Sequence, residues 1–156
     1  MTETIASPVV RHAGEGTKRW FFGGGVWTWK ASSEDGCALT VVEVEMEGGK
    51  STPMHTHPIV ESLWVLDGQL RYCIDGDYAE LGVGDFAMVP AGVPHAFMVL
   101  SDSARVLAIQ PSHDCEAFYI GASEPLEGSA RETDFGKLGE SAAANGGITI
   151  LGPPPF

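Results

Sequence analysis

The chain is short of positive charge: 9 Lys and Arg stand against 21 Asp and Glu over 156 residues, a formal net charge of −12. No basic patch is available to hold phosphates, which argues against nucleic acid as a partner. Cysteine is scarce as well. Cys37, Cys73 and Cys115 are odd in number, far apart and form no C-x-x-C pair. Neither a disulfide framework nor a thiolate zinc site follows from them, and free thiols in a reducing cytoplasm are the expectation. Long hydrophobic runs are missing too. The most apolar region, Phe86 to Leu100, is interrupted by Pro90, Gly92, Pro94 and His95 and falls short of the ~20 residues that cross a bilayer, so no membrane partner is expected. The opening Met1 to Gly16 has neither a basic start nor an apolar stretch, and no secretion signal is expected there. Gly48-Gly49-Lys50-Ser51 lacks the earlier glycine of a phosphate loop, whose place Val44 takes, and no G-x-S-x-G elbow occurs. A nucleotide site and a serine hydrolase are thereby excluded.

What the chain does have is 20 glycines, 10 prolines and 44% apolar residues. That is enough apolar material for the core of one compact domain, punctuated more like strands and turns than like helices. Turn signals recur at short intervals from Gly23 to Ser103, and β-favouring runs lie between them: Val42 to Met46, Ser62 to Leu66, Gln69 to Ile74, Phe86 to Val89, Ala96 to Leu100 and Val106 to Gln110. An all-β fold of antiparallel hairpins follows, with Asp75-Gly76 as a two-residue turn. Asp134 to Asn145 spaces Phe135, Leu138 and Ala142 as a short helix, which Gly146-Gly147 stops before a brief strand at Ile148 to Leu151 and a Pro-rich tail. The expected organisation is an N-terminal arm over residues 1–16, a barrel over 17–121 and a C-terminal extension over 122–156.

Chemistry concentrates in two segments. Residues 49–68 read GKSTPMHTHPIVESLWVLDG and carry His55, His57 and Glu61. On an extended strand, positions two and four apart point to one face, so these three side chains are expected to converge. Residues 84–95 read GDFAMVPAGVPH, a tight turn that delivers His95 as a fourth ligand. Three imidazoles and a carboxylate suit one divalent transition metal, with iron, nickel, manganese, cobalt, copper and zinc all admissible. Leu63 and Val65 share parity with Glu61, Phe97 shares it with His95, and Tyr72 lies on a neighbouring inward face. Together they predict a mostly apolar pocket for a small organic substrate. His12 and His113 are read as structural histidines.

These segments resemble the two signature motifs of the cupin family. Gly49, His55, His57, Glu61 and Gly68 match every position of the first, and Gly84, Pro90, Gly92 and His95 match the second; Val99 stands where the family pattern has Asn. That departure puts a polar pocket contact in doubt and leaves the ligands intact. The resemblance implies a single jelly-roll β-barrel with one short C-terminal helix. The C-terminal GGITILGPPP and the CEAFYI segment at Cys115 to Ile120 are similar to small bacterial cupins related to quercetinase-type dioxygenases. What this implies is dioxygen-dependent cleavage of an aromatic, enolic or β-dicarbonyl substrate, with Glu61 as a metal ligand or as the catalytic base. Cupins also include redox-neutral isomerases, dehydratases and cyclases, and proteins that only bind small ligands. A homodimer is expected as well, because the aromatic run Trp20 to Trp29 exceeds what a small barrel should expose.

Overall fold

The computed structural model describes residues 6–156, so the first five residues of the expected N-terminal arm lie outside it. Among the described residues, twelve strands make up two antiparallel sheets. In chain order they are β1 (Thr17–Phe21), β2 (Gly25–Ala31), β3 (Thr40–Glu47), β4 (Met54–Thr56), β5 (Glu61–Asp67), β6 (Leu70–Ile74), β7 (Asp77–Leu81), β8 (Phe86–Val89), β9 (His95–Val99), β10 (Ser103–Gln110), β11 (Ser123–Pro125) and β12 (Thr149–Gly152). One sheet has the order β11-β1-β2-β3-β10-β5-β8 and the other β12-β4-β9-β6-β7. The two sheets form a jelly-roll-like sandwich and are not joined by strand pairing into one closed barrel.

Local sequence accounts for the pieces. Along β3, Thr40, Val42, Val44 and Met46 are buried while Glu45 and Glu47 are exposed, the alternation of a strand with one face on a core. Asp75 and Gly76 both have positive φ, 51° and 83°, as the tight turn between β6 and β7 demands. Helix α2 (Phe135–Asn145) occupies the expected helical segment; the Asp134 side chain accepts from the Lys137 N–H at its start.

Two expectations need correction, the single helix and the exposed aromatic run. The C-terminal helix is not the only one, because α1 (Glu116–Gly121) forms within the expected barrel segment. Its six residues are too few for helical periodicity to show, and it forms by packing Phe118 and Tyr119 into the core. The C-terminal extension adds one strand to each sheet, β11 against β1 and β12, at the expected brief strand, against β4. Finally, the early aromatic run is not exposed: Trp20, Phe21, Phe22, Trp27 and Trp29 are all buried within the same chain. Phe21 stacks on Trp27 at 4.3 Å between centroids, and Trp27 meets Tyr119 at 4.8 Å. The pairing surface expected from that run is therefore internal core. The large apolar side chains that do face outward include Trp64, Phe86 and Met88 on β5 and β8. Among the described residues no helix is long and apolar enough to cross a membrane.

Candidate metal centre

Both sheets contribute to one buried polar cluster. His55 on β4 is paired in register with His95, the first residue of β9. His57 follows β4 just before Pro58, and Glu61 opens β5 in the opposite sheet. Convergence therefore does not come from one continuous strand, as the spacing suggested; the chain crosses between sheets from His57 to Glu61. One ring nitrogen from each of His55, His57 and His95 lies within 4.8 Å of the others. His55 Nε2 is 3.1 Å from His57 Nε2, and the Glu61 carboxylate stands 3.3 Å from His57 Nε2 and 3.7 Å from His95 Nε2. All four residues are buried.

The protons on these rings are set from outside the cluster. His55 Nδ1 lies 2.7 Å from the Pro53 carbonyl and His95 Nδ1 lies 2.8 Å from that of Val93. A carbonyl only accepts, so each Nδ1 donates, and in the neutral ring each Nε2 turns a lone pair inward. Burial, then the neighbouring His57 and His95, lowers the His55 pKa to about 3. Burial likewise lowers His57. Glu61 is pushed up by burial, but its imidazole neighbours, His57 first, pull it below the ordinary carboxylate range. Neutral imidazoles face an ionised carboxylate, and the buried His95 Nε2 has no hydrogen-bond partner. An inward-facing set of lone pairs with too few protons between them fits a divalent cation.

Two further residues, Gln110 at the end of β10 and Tyr119 on α1, hold Glu61. Gln110 Nε2 donates to Glu61 Oε2 at 2.9 Å, and the Tyr119 hydroxyl reaches the same oxygen at 3.4 Å. Burial, then Glu61, holds the Tyr119 phenol well above its usual pKa, so it stays protonated. Gln110 carried a readable signal, because it continues the inward parity of Val106 and Ala108 on β10. Tyr119 carried none, since helix α1 brings it in. Cys115 is a third addition: its Sγ is 3.5 Å from His57 Nδ1 and donates to the Gly147 carbonyl at 3.1 Å. Burial, then Glu61, pushes this thiol up to about 12, so it remains S–H.

A narrow cavity of about 40 Å³ adjoins the cluster, with His55, His57 and Glu61 at its polar end and Leu63, Phe97, Phe118 and Tyr119 among its apolar walls. Of the expected pocket residues, Leu63 and Phe97 line it, whereas Val65, Tyr72 and Val99 do not. The register accounts for Val99. Tyr72 pairs with Phe97 and Leu70 with Val99, so Val99 lies a full rung deeper, where the two sheets pack solidly. Tyr72 instead stands edge-on to His95, 6.2 Å between centroids. His113 is bonded to Thr40 and paired with Glu116, away from the cluster.

Residues 42–110 match the cupin domain family. Over 122 residues the chain is 34% identical to quercetin 2,3-dioxygenase of Bacillus subtilis (strain 168), an alignment taking in 77% of this chain and 36% of that enzyme. The chain thus spans about a third of the length of this curated relative. Among solved structures, an RmlC-like cupin from Shewanella frigidimarina superposes with a TM-score of 0.61 at 18% identity, covering 69% of this chain and 94% of that one. The polyketide cyclase RemF from Streptomyces resistomycificus gives 0.53 at 23% identity, covering 71% and 79%. At those identities the likeness is one of fold. Both signature motifs, the two-sheet sandwich and these matches agree: residues 42–110 of the chain are a cupin domain, within a cupin-like fold.

Proposed function

We propose that this cupin-domain protein is a metal-dependent dioxygenase that cleaves a small aromatic, enolic or β-dicarbonyl substrate. The observation that carries the reading is the convergence of His55, His57, His95 and Glu61 at the polar end of an otherwise apolar cavity. The 34% identity to a quercetin 2,3-dioxygenase supports the reaction class. The three imidazoles and Glu61 would hold one divalent transition metal, which supplies Lewis acidity and, where redox-active, an electron path to dioxygen. The chain's own part is positional and protonic. Gln110 and Tyr119 hold Glu61 Oε2 and leave Oε1 to accept the proton of an enolic or phenolic hydroxyl. Leu63, Phe97 and Phe118 keep water from the reacting face.

Elemental analysis followed by oxygen-uptake assays with a panel of phenols tests the proposal. Stoichiometric metal with substrate-dependent uptake is expected, and product without uptake overturns the dioxygenase reading. One observation favours a redox-neutral isomerase, dehydratase or cyclase as the second reading: Tyr119 gives the cavity a protonated phenol beside the Glu61 base, the acid partner such chemistry needs. We also place the protein in the cytoplasm, supported by its three free thiols. A homodimer paired through the outward Trp64, Phe86 and Met88 completes the reading; a monomer by light scattering at micromolar concentration overturns that part.

A further inference from the structure

The buried cavity beside the metal ligands and a broad surface groove of about 600 Å³ share two lining residues, His57 and Ile148. The groove runs between Thr56 and Pro58, the Ala91-Gly92 turn, and the stretch from Gly146 to Thr149 that links α2 to β12. Whatever passes from solvent to the ligands by this route passes between His57 and Ile148. His57 is fixed, with its Nδ1 against Cys115 and its carbonyl accepting from the Gly92 N–H at 2.8 Å. Ile148 sits on the less restrained side. It lies outside any strand, between Gly146 and Gly147 with φ of 63° and 83° and the first β12 residue.

Volume decides what this partition does. A cavity of about 40 Å³ holds about three waters at roughly 10–15 Å³ each, so a diatomic gas or a small anion enters without rearrangement. Sites that bury an organic ligand run to roughly 300–1,000 Å³. A phenolic ring therefore needs a wall to move. The walls on β2, β5 and β9 are held by strand ladders, and Leu138 is locked in α2, whose Ser141 bonds the Phe118 carbonyl at 2.7 Å. The segment carrying Ile148 has the weakest ties: Gly146 N–H to Ala142, and the Cys115 thiol to the Gly147 carbonyl at 3.1 Å. A side chain at Gly147 would be strained in the closed position, where φ is 83° and an added Cβ would lie 3.0 Å from the Asp114 carbonyl and 3.1 Å from Cys115 Cα.

We infer that Ile148 is a size-selecting residue of this site, a plug between groove and cavity that excludes ring-sized ligands until the Gly146-Gly147 segment swings outward. Only the ligand arm of its test rests on the metal reading; the other arm does not need a metal. The same opening breaks the Cys115 contact to Gly147 and bares a buried thiol, so peptide-resolved alkylation by iodoacetamide reports it in the metal-free protein. Ile148→Ala is expected to speed Cys115 alkylation about tenfold and Ile148→Val less, by lowering the cost of local opening. Leu138→Ala, which deletes a cavity wall that does not face the groove, leaves the rate near wild type. Equal acceleration by Ile148→Ala and Leu138→Ala reduces Ile148 to ordinary core packing and overturns the inference. In cobalt-loaded protein, 4-nitrocatechol is expected to bind about tenfold faster to Ile148→Ala than to wild type, with azide unchanged. If cobalt fails to bind, the metal reading falls while the alkylation arm still decides the plug; if both probes gain alike, the selection by size is refuted.

Discussion

His55 Nε2 and His57 Nε2 approach to 3.1 Å in a buried site. With His55 Nδ1 donating to Pro53, that contact is a lone pair aimed at a second imidazole, and at most one proton fits between the rings. The arrangement is satisfied more fully by a cation that accepts from both, together with His95 Nε2, which has no other partner.

Protein purified without an affinity tag or chelator is therefore expected to carry close to one metal ion per chain, and His57→Ala to carry none. His95→Ala should lose the metal yet keep its far-UV circular dichroism, because apolar burial supplies most of the stability of the sandwich. Added metal at a hundredfold excess over Kd should stabilise the wild type by about 2.7 kcal/mol in denaturant titrations. A wild type that stays empty after reconstitution with each candidate ion sinks the assignment.

Acid should destabilise the chelator-treated protein over a definite window. Folded His55 titrates at about 3, against 6.5 for a free imidazole. Between those values the unfolded chain binds a proton that the folded chain refuses, so this stability is complete above pH 6.5 and drains away as pH falls toward 3. The loss is about 1.4 kcal/mol per pH unit for each imidazole held neutral. His57 is shifted in the same direction, and Glu61, held low, adds a further loss below its ordinary value of 4.5. Urea midpoints at pH 7.5 and 5.0 measure the slope, which His55→Ala should flatten; equal wild-type midpoints would contradict the burial argument.

The four cluster residues were legible because their identity and spacing survive folding, even though the stated reason did not. His57 and Glu61 meet across two sheets, because a chain carrying Pro58 leaves β4 and re-enters at β5. Strand positions were readable where one face is solvated, as in β3. They were not readable in β1 and β2, where buried tryptophans imitate an exposed patch. Gln110 and Tyr119 stand 49 and 58 residues from Glu61, a separation that no local pattern encodes. Depth was equally hidden, since parity gives the face of Val65 and Val99 but not how far inward packing closes the space.

Glu61 depends on its holders. Gln110→Leu removes the 2.9 Å donor to Oε2 and leaves that buried carboxylate oxygen with only the longer contacts to His57 Nε2 at 3.3 Å and the Tyr119 hydroxyl at 3.4 Å. The expected cost is about 1–3 kcal/mol in stability and a roughly tenfold loss of metal affinity, read by competition with a chromophoric chelator. Tyr119→Phe should cost less on both counts, because its 3.4 Å contact is long. A Gln110→Leu variant with wild-type affinity would show that Glu61 needs no orientation from β10.

Tyr72 separates an inward-facing residue from one that serves the cavity. Its ring is 1% exposed, its hydroxyl is buried with no hydrogen-bond partner, and it is absent from the cavity wall. A hydroxyl desolvated without compensation opposes folding, so Tyr72→Phe should leave stability unchanged or raise it by about 1 kcal/mol. Metal content and turnover should stay at wild-type values, whereas Phe97→Ala, which enlarges the cavity itself, should alter the range of phenols accepted. A tenfold fall in turnover for Tyr72→Phe with metal content intact would place the phenol in the reaction, and would mean that the cavity widens along the Phe97 rung from β9 onto β6 when substrate is bound.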